Sequence, residues 1–421
     1  MLINLETGER RKITDPPITS GGDQYFEFSA DGRRLAFVRR PSVIGAGELF
    51  IAPLAGGPLK RIGAPGNFLY DVVWAPDGMS VIGTIEAGGI TSLWRFPVDG
   101  GEPSRIAGLQ DGARNATVSS ASHRLVYERL FSDENIWSLT EQAREQVIAS
   151  TRRDFNPQLS PDGNRIAFVS DRTGGWEIYV TDADGRNPVQ LTSFGNVVAD
   201  GIRWSPSGRE LVFAVLRGLD RDIYVMPSAG GAPRPVVRGP SDEGRPSFSI
   251  DGNWIYFRSN RSGRDEIWKI PHQGGEPIQV TRNGGFEALE SHDGKTLYFN
   301  QTRTSTGLWS MPLSGGQEQP VLGLEQVSQG RWGVTRDGVC YVSPRTPRDG
   351  LLDNEGVDDP RVLEHVYCWK ASSGETTRRG TIDKPVFVAS PSFSVSQDAR
   401  RFLWNQTDNV DADLVLVENF R

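Results

Sequence analysis

The sequence is poor in the residue types that catalytic and metal sites use most. Its 421 residues include two cysteines and four histidines. No His-Glu-x-x-His or His-x-x-x-His spacing occurs, and no Gly-x-Ser-x-Gly motif marks a hydrolase nucleophile. We therefore expect no metal site, no cofactor and no catalytic residue, and we predict that the chain is not an enzyme.

Long apolar runs and basic segments are also missing. No window of about 18 apolar residues exists, so we expect no membrane span. The first residues lack a basic segment followed by an apolar run, so we expect no signal peptide, and the compartment stays open. Lys and Arg total 46 against 53 Asp and Glu, a net charge of −7. This balance argues against direct binding of nucleic acid.

Turn residues are plentiful, with 48 glycines and 27 prolines, and many of them recur at a fixed interval. A Ser-x-Asp-Gly-like turn appears at Ser29–Gly32, Ala75–Gly78, Ser160–Gly163, Ser205–Gly208, Ser249–Gly252, Ser291–Gly294 and Thr335–Gly338. The final glycines lie 42 to 46 residues apart, with one double interval of 85 that a degraded copy fills. This periodicity indicates a repeat protein.

Each repeat, called a module below, contains short alternating runs that predict four antiparallel strands. Arg165-Ile-Ala-Phe-Val169 and Ile178-Tyr179 are examples of the second and third strands. Four strands per about 44 residues predict an all-β fold, a β-propeller of four-stranded blades with eight to nine repeats. The alternative is a six-blade ring from about residue 151 onward with a partial three-blade ring before it.

The phase of the repeat predicts how the domain is organised. Residues 1–421 are assigned to propeller repeats throughout, with a subdivision into 1–150 and 151–421 left open. Residues 1–14 resemble the third and fourth strands of a module, so the chain is expected to begin within a blade. We expect this partial blade to close the ring with residues 390–421, because a propeller must hide its edge strands.

The unit from Pro157 to Arg172, continued by Glu177-Ile-Tyr-Val180, resembles the TolB-type propeller repeat. A narrower resemblance is to bacterial winged helix-turn-helix regulators whose C-terminal half is a TolB-like propeller. It rests on Ser150–Asp154, Asn187–Gly195 and the C-terminal Leu414–Arg421. The resemblance implies a sensor or docking module. DNA binding is not implied, because no winged helix is present in the sequence.

The candidate binding residues come from a position four residues before each turn, where first strands begin and would surround a channel mouth. With their neighbours, the candidates are Tyr25, Tyr70, Asp71, Asn115, Asp154, Asn156, Asp200, Glu243, Arg245, Glu287 and Arg331. A mixed ring of charges and aromatics suits a protein, a peptide or a small polar ligand. The alternative is an ordinary solvated channel. Cys340 and Cys368 fall on neighbouring predicted strands, and we expect either two small buried side chains or a disulfide.

The sequence therefore predicts a non-catalytic ligand-sensing or protein-docking propeller, as a fragment of a transcriptional regulator. Two alternatives stay open. One is a metal-dependent enzyme of the lactonase or lyase kind, using Asp71, Asn115, Asn156 and Glu287 as ligands. The other is a periplasmic TolB-like envelope protein.

Overall fold

Antiparallel β-strands make up the regular secondary structure of this computed structural model, which describes residues 1–17, 22–40, 47–63, 68–87, 90–119, 121–194, 198–217, 220–343, 363–382, 384, 386 and 391–420. Among these residues there is no helix suited to spanning a membrane. The prediction of an all-β propeller fold built from four-stranded sheets is confirmed.

The first strands in chain order are β1 (Leu2–Ile3), β2 (Arg10–Arg11), β3 (Gly22–Phe28), β4 (Arg34–Arg40), β5 (Glu48–Pro53), β6 (Lys60–Ile62), β7 (Phe68–Trp74), β8 (Ser80–Ala87), β9 (Ile90–Pro97), β10 (Ser104–Arg105), β11 (Ala113–Ser119) and β12 (Arg124–Leu139). The next are β13 (Arg144–Ile148), β14 (Asp154–Leu159), β15 (Arg165–Ser170), β16 (Glu177–Asp182), β17 (Val189–Gln190), β18 (Val198–Trp204), β19 (Glu210–Arg217), β20 (Asp220–Pro227), β21 (Arg234–Val237), β22 (Glu243–Phe248), β23 (Trp254–Ser259), β24 (Glu266–Pro271) and β25 (Ile278–Gln279). The last are β26 (Glu287–Glu290), β27 (Thr296–Asn300), β28 (Trp309–Pro312), β29 (Gln319–Pro320), β30 (Trp332–Val334), β31 (Gly338–Val342), β32 (Glu364–Lys370), β33 (Thr376–Ile382), β34 (Phe393–Val395) and β35 (Phe402–Val417).

The recurrent turn shows why its residue types are needed. Ser160 Oγ donates to Asp162 Oδ1 at 2.5 Å and accepts from the Arg165 backbone N–H at 2.9 Å. Gly163 has a φ of +73°, the left-handed region that glycine adopts without steric cost. The serine and aspartate side chains therefore close the turn between the first and second strands, and the glycine lets the chain reverse direction.

The chain forms two compact units. Unit 1 comprises Met1–Phe131, Arg217–Leu219 and Val410–Arg421, and unit 2 comprises Ser132–Leu216 and Asp220–Asn409. The subdivision expected at residue 150 therefore falls near residue 131, and the C-terminal residues return to unit 1.

Unit 2 contains six sheets whose first strands contact one another in a closed cycle. The cycle runs β14, β18, β22, β26, β30, β34 and back to β14. Five of these sheets are consecutive modules, and the sixth combines β34 and the start of β35 with the end of β12 and β13. Phenylalanines such as Phe168, Phe213 and Phe257 are fully buried between neighbouring sheets.

Among the described residues, unit 1 contains three sheets in a row and a short hairpin. β3–β6 and β7–β10 are complete four-stranded modules. The third sheet consists of β11, the start of β12 and the end of β35. Leu125 and Tyr127 of β12 and Val415 and Val417 of β35 lie in one apolar cluster with residues of the second sheet.

β12 and β35 are both 16-residue strands that belong in part to each unit. The sequence predicts separate second and third strands in these two modules, but the structure has one continuous strand in each. Other modules place glycines between those strands, such as Gly174 and Gly175, whereas residues 128–136 and 405–413 contain none. Without a turn residue with positive φ, the strand continues instead of reversing.

The N-terminal strands differ from the prediction that they would complete the blade at residues 390–421. β1 pairs with β2, in the registers Leu2 with Arg11 and Ile3 with Arg10. The partners of β35 are β34 and β12. The C-terminal strand β35 thus pairs with β12 and not with the N-terminal strands. Both strands are 16 residues long, so β12 can pair along both halves of β35.

Replacing Phe420 by alanine is expected to lower the free energy of unfolding of unit 1 by about 3 kcal/mol, because it empties a buried aromatic site. Phe420 packs in the cluster of the second and third sheets, and the Arg95 guanidinium lies 5.4 Å from its ring. Urea denaturation followed by tryptophan fluorescence measures the change. The control Met79→Ala alters an exposed side chain of the same unit and should leave stability unchanged. Equal effects of both substitutions would contradict the packing assigned to Phe420.

Candidate binding site

The first strands carry β-bulges at or beside the positions that the sequence singles out. The pairing register shifts between Gln24 and Glu27, and equivalent shifts occur in four other first strands with a left-handed residue. The left-handed residues at these bulges are Tyr25, Asn115, Asn156, Gly201 and Arg245, with φ between +47° and +66°. A bulge leaves a backbone N–H outside the ladder, and that donor needs an acceptor.

In unit 1, Asp71 supplies such an acceptor. Its carboxylate accepts from the Asn115 backbone N–H at 2.5 Å, and from the N–H and hydroxyl of Thr84 at 2.8 and 2.7 Å. Burial raises the pKa of Asp71 above its ordinary value, although the hydrogen bonds from Thr84 and Asn115 oppose that rise. Asn115 also donates through Nδ2 to Glu128 at 2.6 Å. Asp71 therefore joins the first strands of two neighbouring sheets.

The rings of Tyr25 and Tyr70 both contact the guanidinium group of Arg40. The Arg40 guanidinium carbon lies 5.7 Å from the Tyr25 ring and 5.9 Å from the Tyr70 ring. The Tyr70 hydroxyl donates to Glu86 at 2.6 Å. Cation–π contacts of this kind each contribute about 0.5–1 kcal/mol at exposed sites.

In unit 2, Asn156 has the same joining role as Asp71. With its amide oriented to satisfy both neighbours, Asn156 accepts from the Gly201 backbone N–H at 2.8 Å and donates to the Pro391 carbonyl at 3.2 Å. The side chain is fully buried. One amide thus links the first strands of three consecutive sheets.

Asp154 and Glu243 each hold an arginine inside their own sheet. Arg172 reaches Asp154 at 2.7 Å, and Arg261 reaches Glu243 at 2.9 Å. The pKa of Glu243 is raised by burial, against the effect of Arg261. Both arginines also lie over two aromatic rings of the second and third strands. The repetition of one arrangement in two modules marks it as part of the blade scaffold.

The other four candidates of unit 2 each interact with charged groups. Asp200 lies 3.6 Å from Arg221, and Arg331 lies 2.5 Å from Glu364. Burial lowers the pKa of Arg245 to about 10, an effect that Glu287 and Asp200 oppose. Arg245 also lies 5.4 Å from the Phe286 ring.

The structure therefore divides the eleven candidates between the units, with Tyr25, Tyr70, Asp71 and Asn115 in unit 1 and the others in unit 2. Asp154 Oδ2 and Glu243 Oε2 are buried and have no hydrogen-bond partner among the described residues. A ligand site at the strand starts stays a prediction.

The opposite ends of the same strands form a pocket in unit 2. All six first strands, or the turns that follow them, contribute to its lining, which surrounds a cavity of about 190 Å³. The apolar part of the lining consists of Leu159, Pro161, Trp204, Pro206, Phe248, Ile250, Leu289, Val334 and Val395. The polar part of the lining comes from Gln158, Ser160, Arg203, Glu290, Ser394 and Gln397. This composition is typical of binding sites for partly apolar ligands.

Arg203 anchors the polar part of the pocket. It donates to Gln158 Oε1 at 2.7 Å and to Glu287 at 2.8 Å, and Glu287 also accepts from the Gly330 N–H at 2.5 Å. The Arg203–Glu287 contact joins two sheets that are not neighbours in the cycle. The amide Nε2 of Gln158 is buried and has no hydrogen-bond partner among the described residues. Gln158 thus offers a donor to an oxygen of a ligand.

Glu290 is held at the pocket wall. Its carboxylate accepts from the Tyr256 hydroxyl at 2.6 Å and from the Ile250 N–H at 2.7 Å. Burial and the neighbouring Glu290 charge raise the pKa of Tyr256, so this hydroxyl remains a donor at neutral pH. Both charged groups that line the pocket are therefore fixed by the protein before any ligand arrives.

A pattern in the sequence indicates this pocket, but the candidate binding residues were chosen from a different position of each module. The residue directly before the turn is large and apolar in most modules, as in Leu159, Trp204, Phe248 and Val334. Most of the candidate binding residues were instead taken from the position three residues before it. The strand ends show that the position before the turn faces the pocket.

Cys340 and Cys368 form a disulfide. They lie directly opposite each other on β31 and β32. Of the two arrangements expected from the sequence, the structure has the covalent one.

No metal centre was found: among the described residues, no group of three or more His, Cys, Asp or Glu side chains is arranged to hold a metal ion. The four side chains considered as metal ligands are themselves divided, with Asp71 and Asn115 in unit 1 and Asn156 and Glu287 in unit 2.

The sequence profile described as the TolB beta propeller domain matches residues 1–197 and 195–330. The Tol-Pal system protein TolB of Bordetella pertussis is 34% identical over 136 residues, 32% of this chain and 31% of that protein. The uncharacterized peptidase YuxL of Bacillus subtilis is 26% identical over 201 residues, 38% of this chain and 30% of that protein. The chain thus spans about a third of the length of each of these relatives.

Among solved structures, TolB from Acinetobacter baumannii is similar to 92% of this chain, with 81% of its own chain covered. The sequence identity is 16% and the TM-score is 0.43.

Replacing Asp71 by alanine is expected to lower the free energy of unfolding by about 1–3 kcal/mol, because the buried donors of Thr84 and the bulge N–H of Asn115 lose their acceptor. Chemical denaturation measures this change. The control Glu102→Ala removes an exposed carboxylate of the same unit. If Asp71→Ala and Glu102→Ala are equally stable, Asp71 does not join the two sheets as described.

Replacing both cysteines by alanine is expected to lower the free energy of unfolding by about 3 kcal/mol, since the disulfide closes a 28-residue loop in the unfolded chain. Denaturation with and without reductant provides the control, because reduction should bring the unmodified chain to the stability of the variant. Two free thiols in the unfolded, unreduced protein would show that the bond does not form.

Proposed function

Because the chain belongs to the TolB β-propeller family, we propose that it is a protein-docking propeller of the TolB type, which binds a peptide segment of a partner in the pocket of unit 2. The observation that carries this proposal is the convergence of six strand ends on one partly apolar cavity with an unpaired amide donor at Gln158.

The chemistry of the pocket favours a peptide over a strongly charged ligand. Arg203 is neutralised by Glu287, and Glu290 is held by two donors, so neither charge requires a counterion from the ligand. The apolar lining suits an aliphatic or aromatic side chain. Gln158 Nε2 suits a backbone carbonyl oxygen, and the serines and glutamine at the rim suit further backbone groups.

The disulfide supports the same proposal. Structural disulfides persist in oxidising compartments and are rare where thiols are kept reduced. A cysteine pair placed opposite each other on neighbouring strands is therefore consistent with an envelope or extracellular location, which agrees with a TolB-like role.

The finer prediction of a regulator-derived sensor stays a prediction. The enzyme alternative is tested by metal analysis of the purified chain. One tightly bound divalent ion per chain would favour it, together with turnover of a lactone or a uronate-containing saccharide.

The docking proposal is tested by panning a random peptide library displayed on phage against the immobilised chain and measuring enriched peptides by calorimetry. Ile250→Arg places a charge at the pocket rim and is expected to weaken binding at least tenfold, about 1.4 kcal/mol. The matched control Ile278→Arg alters a similarly exposed isoleucine of unit 2 that does not line the pocket, and binding should not change.

The proposal is wrong if no peptide is enriched, or if enriched peptides bind Ile250→Arg as well as the unmodified chain. Thermal unfolding of both variants verifies that the substitutions leave the fold intact.

A further inference from the structure

Glu134 is a buried carboxylic acid to which the described residues offer no hydrogen bond. It lies on β12, in the part of that strand that belongs to unit 2, and the residue is 4% exposed. No described residue forms an ion pair with its carboxylate. A buried carboxyl without such partners resists ionisation, because burial removes water and no other group stabilises the charge.

Glu134 faces a contact that closes the cycle of sheets in unit 2. Ile136, two residues further along β12, packs with Ile166, Phe168 and Tyr179 of the β14–β17 sheet. Side chains two residues apart in a strand point to the same face, so Glu134 also points toward that sheet. The contact between the sheet of β34, β35, β12 and β13 and the sheet of β14–β17 is called the closing joint.

The charges that face Glu134 from the β14–β17 sheet are already matched with one another. Asp171, which follows β15, lies 3.4 Å from the Arg153 guanidinium. Asp154, which begins β14, pairs through one oxygen with Arg172 at 2.7 Å, and its other oxygen is buried without a hydrogen-bond partner among the described residues. Each of these arginines therefore has an aspartate, and Glu134 faces two further carboxylates.

The sheet that carries Glu134 adds carboxylates of its own. Asp133 accepts from Asn135 Nδ2 at 3.0 Å, and Asp408 on β35 accepts from the same amide at 2.9 Å. Burial raises the pKa of Asp133, which Asn135 opposes and the Asp408 charge increases. Lys384 Nζ lies 3.8 Å from Asp408, so this cation compensates Asp408.

The pKa of Glu134 reflects these surroundings. Burial raises it from 4.5 to about 7; Arg153 opposes the rise, and the charges of Asp171, Asp133 and Asp154 add to it. Because this pKa is higher in the folded chain than in the unfolded chain, the carboxyl contributes stability below about pH 4.5. That contribution is lost as the pH rises through about 7.

Asp171 is a second carboxylate of the closing joint whose pKa burial raises. It has partners that Glu134 lacks, since it accepts from the Arg153 backbone N–H at 2.9 Å and the charges of Arg153 and Arg152 oppose the rise. The ionisation of Glu134 is therefore the one that the described residues of the joint leave uncompensated.

We propose that the closing joint of unit 2 is a pH-sensitive contact, which the protonated carboxyl of Glu134 stabilises and which loosens when that carboxyl ionises beside Asp154 and Asp171. The proton passes between Glu134 and water. Repulsion between like charges in a poorly solvated contact is the physical cause of the loosening.

The same two sheets also meet at the pocket of unit 2. Leu159 and Ser160 line it from the β14–β17 sheet, and Ser394 and Val395 line it from the other. The Leu159 N–H donates to Ser394 Oγ at 3.0 Å across the joint. A looser joint therefore changes the pocket wall, and we expect peptides to bind more weakly above neutral pH. This last consequence rests on the proposed docking function.

Native-state hydrogen exchange of the full chain, measured by mass spectrometry, tests the joint directly. Glu134→Gln keeps the shape of the protonated side chain and cannot ionise. Amides of residues 132–139 and of β14 are expected to be more protected in this variant than in the unmodified chain. This difference is expected to grow by about tenfold or more between about pH 5 and about pH 8. Comparing the two chains at each pH cancels the intrinsic pH dependence of exchange.

The matched control is Glu141→Gln, which removes an exposed carboxyl in the turn between β12 and β13 and should exchange like the unmodified chain. Infrared difference spectra between the unmodified chain and Glu134→Gln provide a second measurement. They should contain a protonated-carboxyl band at about pH 6 that disappears above about pH 8. The proposal is overturned if this band is absent, if both chains are equally protected, or if their difference does not change with pH.

Peptides selected on the immobilised chain distinguish the pH-sensitive joint from the docking function. They should bind the unmodified chain more tightly at about pH 6 than at about pH 8, and bind Glu134→Gln equally at both. Absence of any binding peptide would contradict the docking function alone. Exchange that is the same in Glu134→Gln and the unmodified chain at every pH would contradict the pH-sensitive joint alone.

Discussion

A sheet that is apolar on both faces must be covered on both faces, and most of this structure follows from that requirement. The phenylalanines of the second strands and the aromatics of the third strands lie between sheets. Leaving one such face in water would forgo about 25 cal/mol for each Å² of apolar surface. In unit 2 the requirement is met by a cycle in which every sheet has two neighbours. The sheet built from β34, β35, β12 and β13 completes that cycle, although its strands come from two distant parts of the sequence.

Closing a cycle of sheets also fixes the role of the polar residues at the strand starts. The bulges at Asn115 and Gly201 turn a backbone N–H toward the neighbouring sheet, where a donor without an acceptor is costly. Asp71 and Asn156 provide that acceptor in different units and with different chemistry, a carboxylate in one and an amide in the other. Their positions therefore require an oxygen atom more than a charge.

Local chemistry was predictable from the sequence, and pairing between distant segments was not. The Ser-x-Asp-Gly turns, the four-strand modules and the all-β fold follow from residue types within a few positions of one another. The division of the chain depends on β12 and β35, whose continuity is signalled only by missing glycines at residues 128–136 and 405–413. Which strands then pair depends on tertiary packing, because the backbone hydrogen bonds between two strands do not identify the partner by its side chains. For a related reason, the sequence did not decide whether Cys340 and Cys368 form a disulfide, because that depends on the register in which their two strands pair.

The distribution of polar and apolar residues along the first strands also indicates where a ligand can bind in unit 2. At the strand starts, several carboxylates and arginines are held by one another, by bulge N–H groups or by aromatic rings. At the strand ends, the turns satisfy their own polar groups through the serine and aspartate side chains, as Ser160 and Asp162 do. The residue before the turn is then free to be apolar. Five of the six such positions around the pocket are apolar, the exception being Glu290, and the fixed pair of Arg203 and Gln158 adds to its polarity.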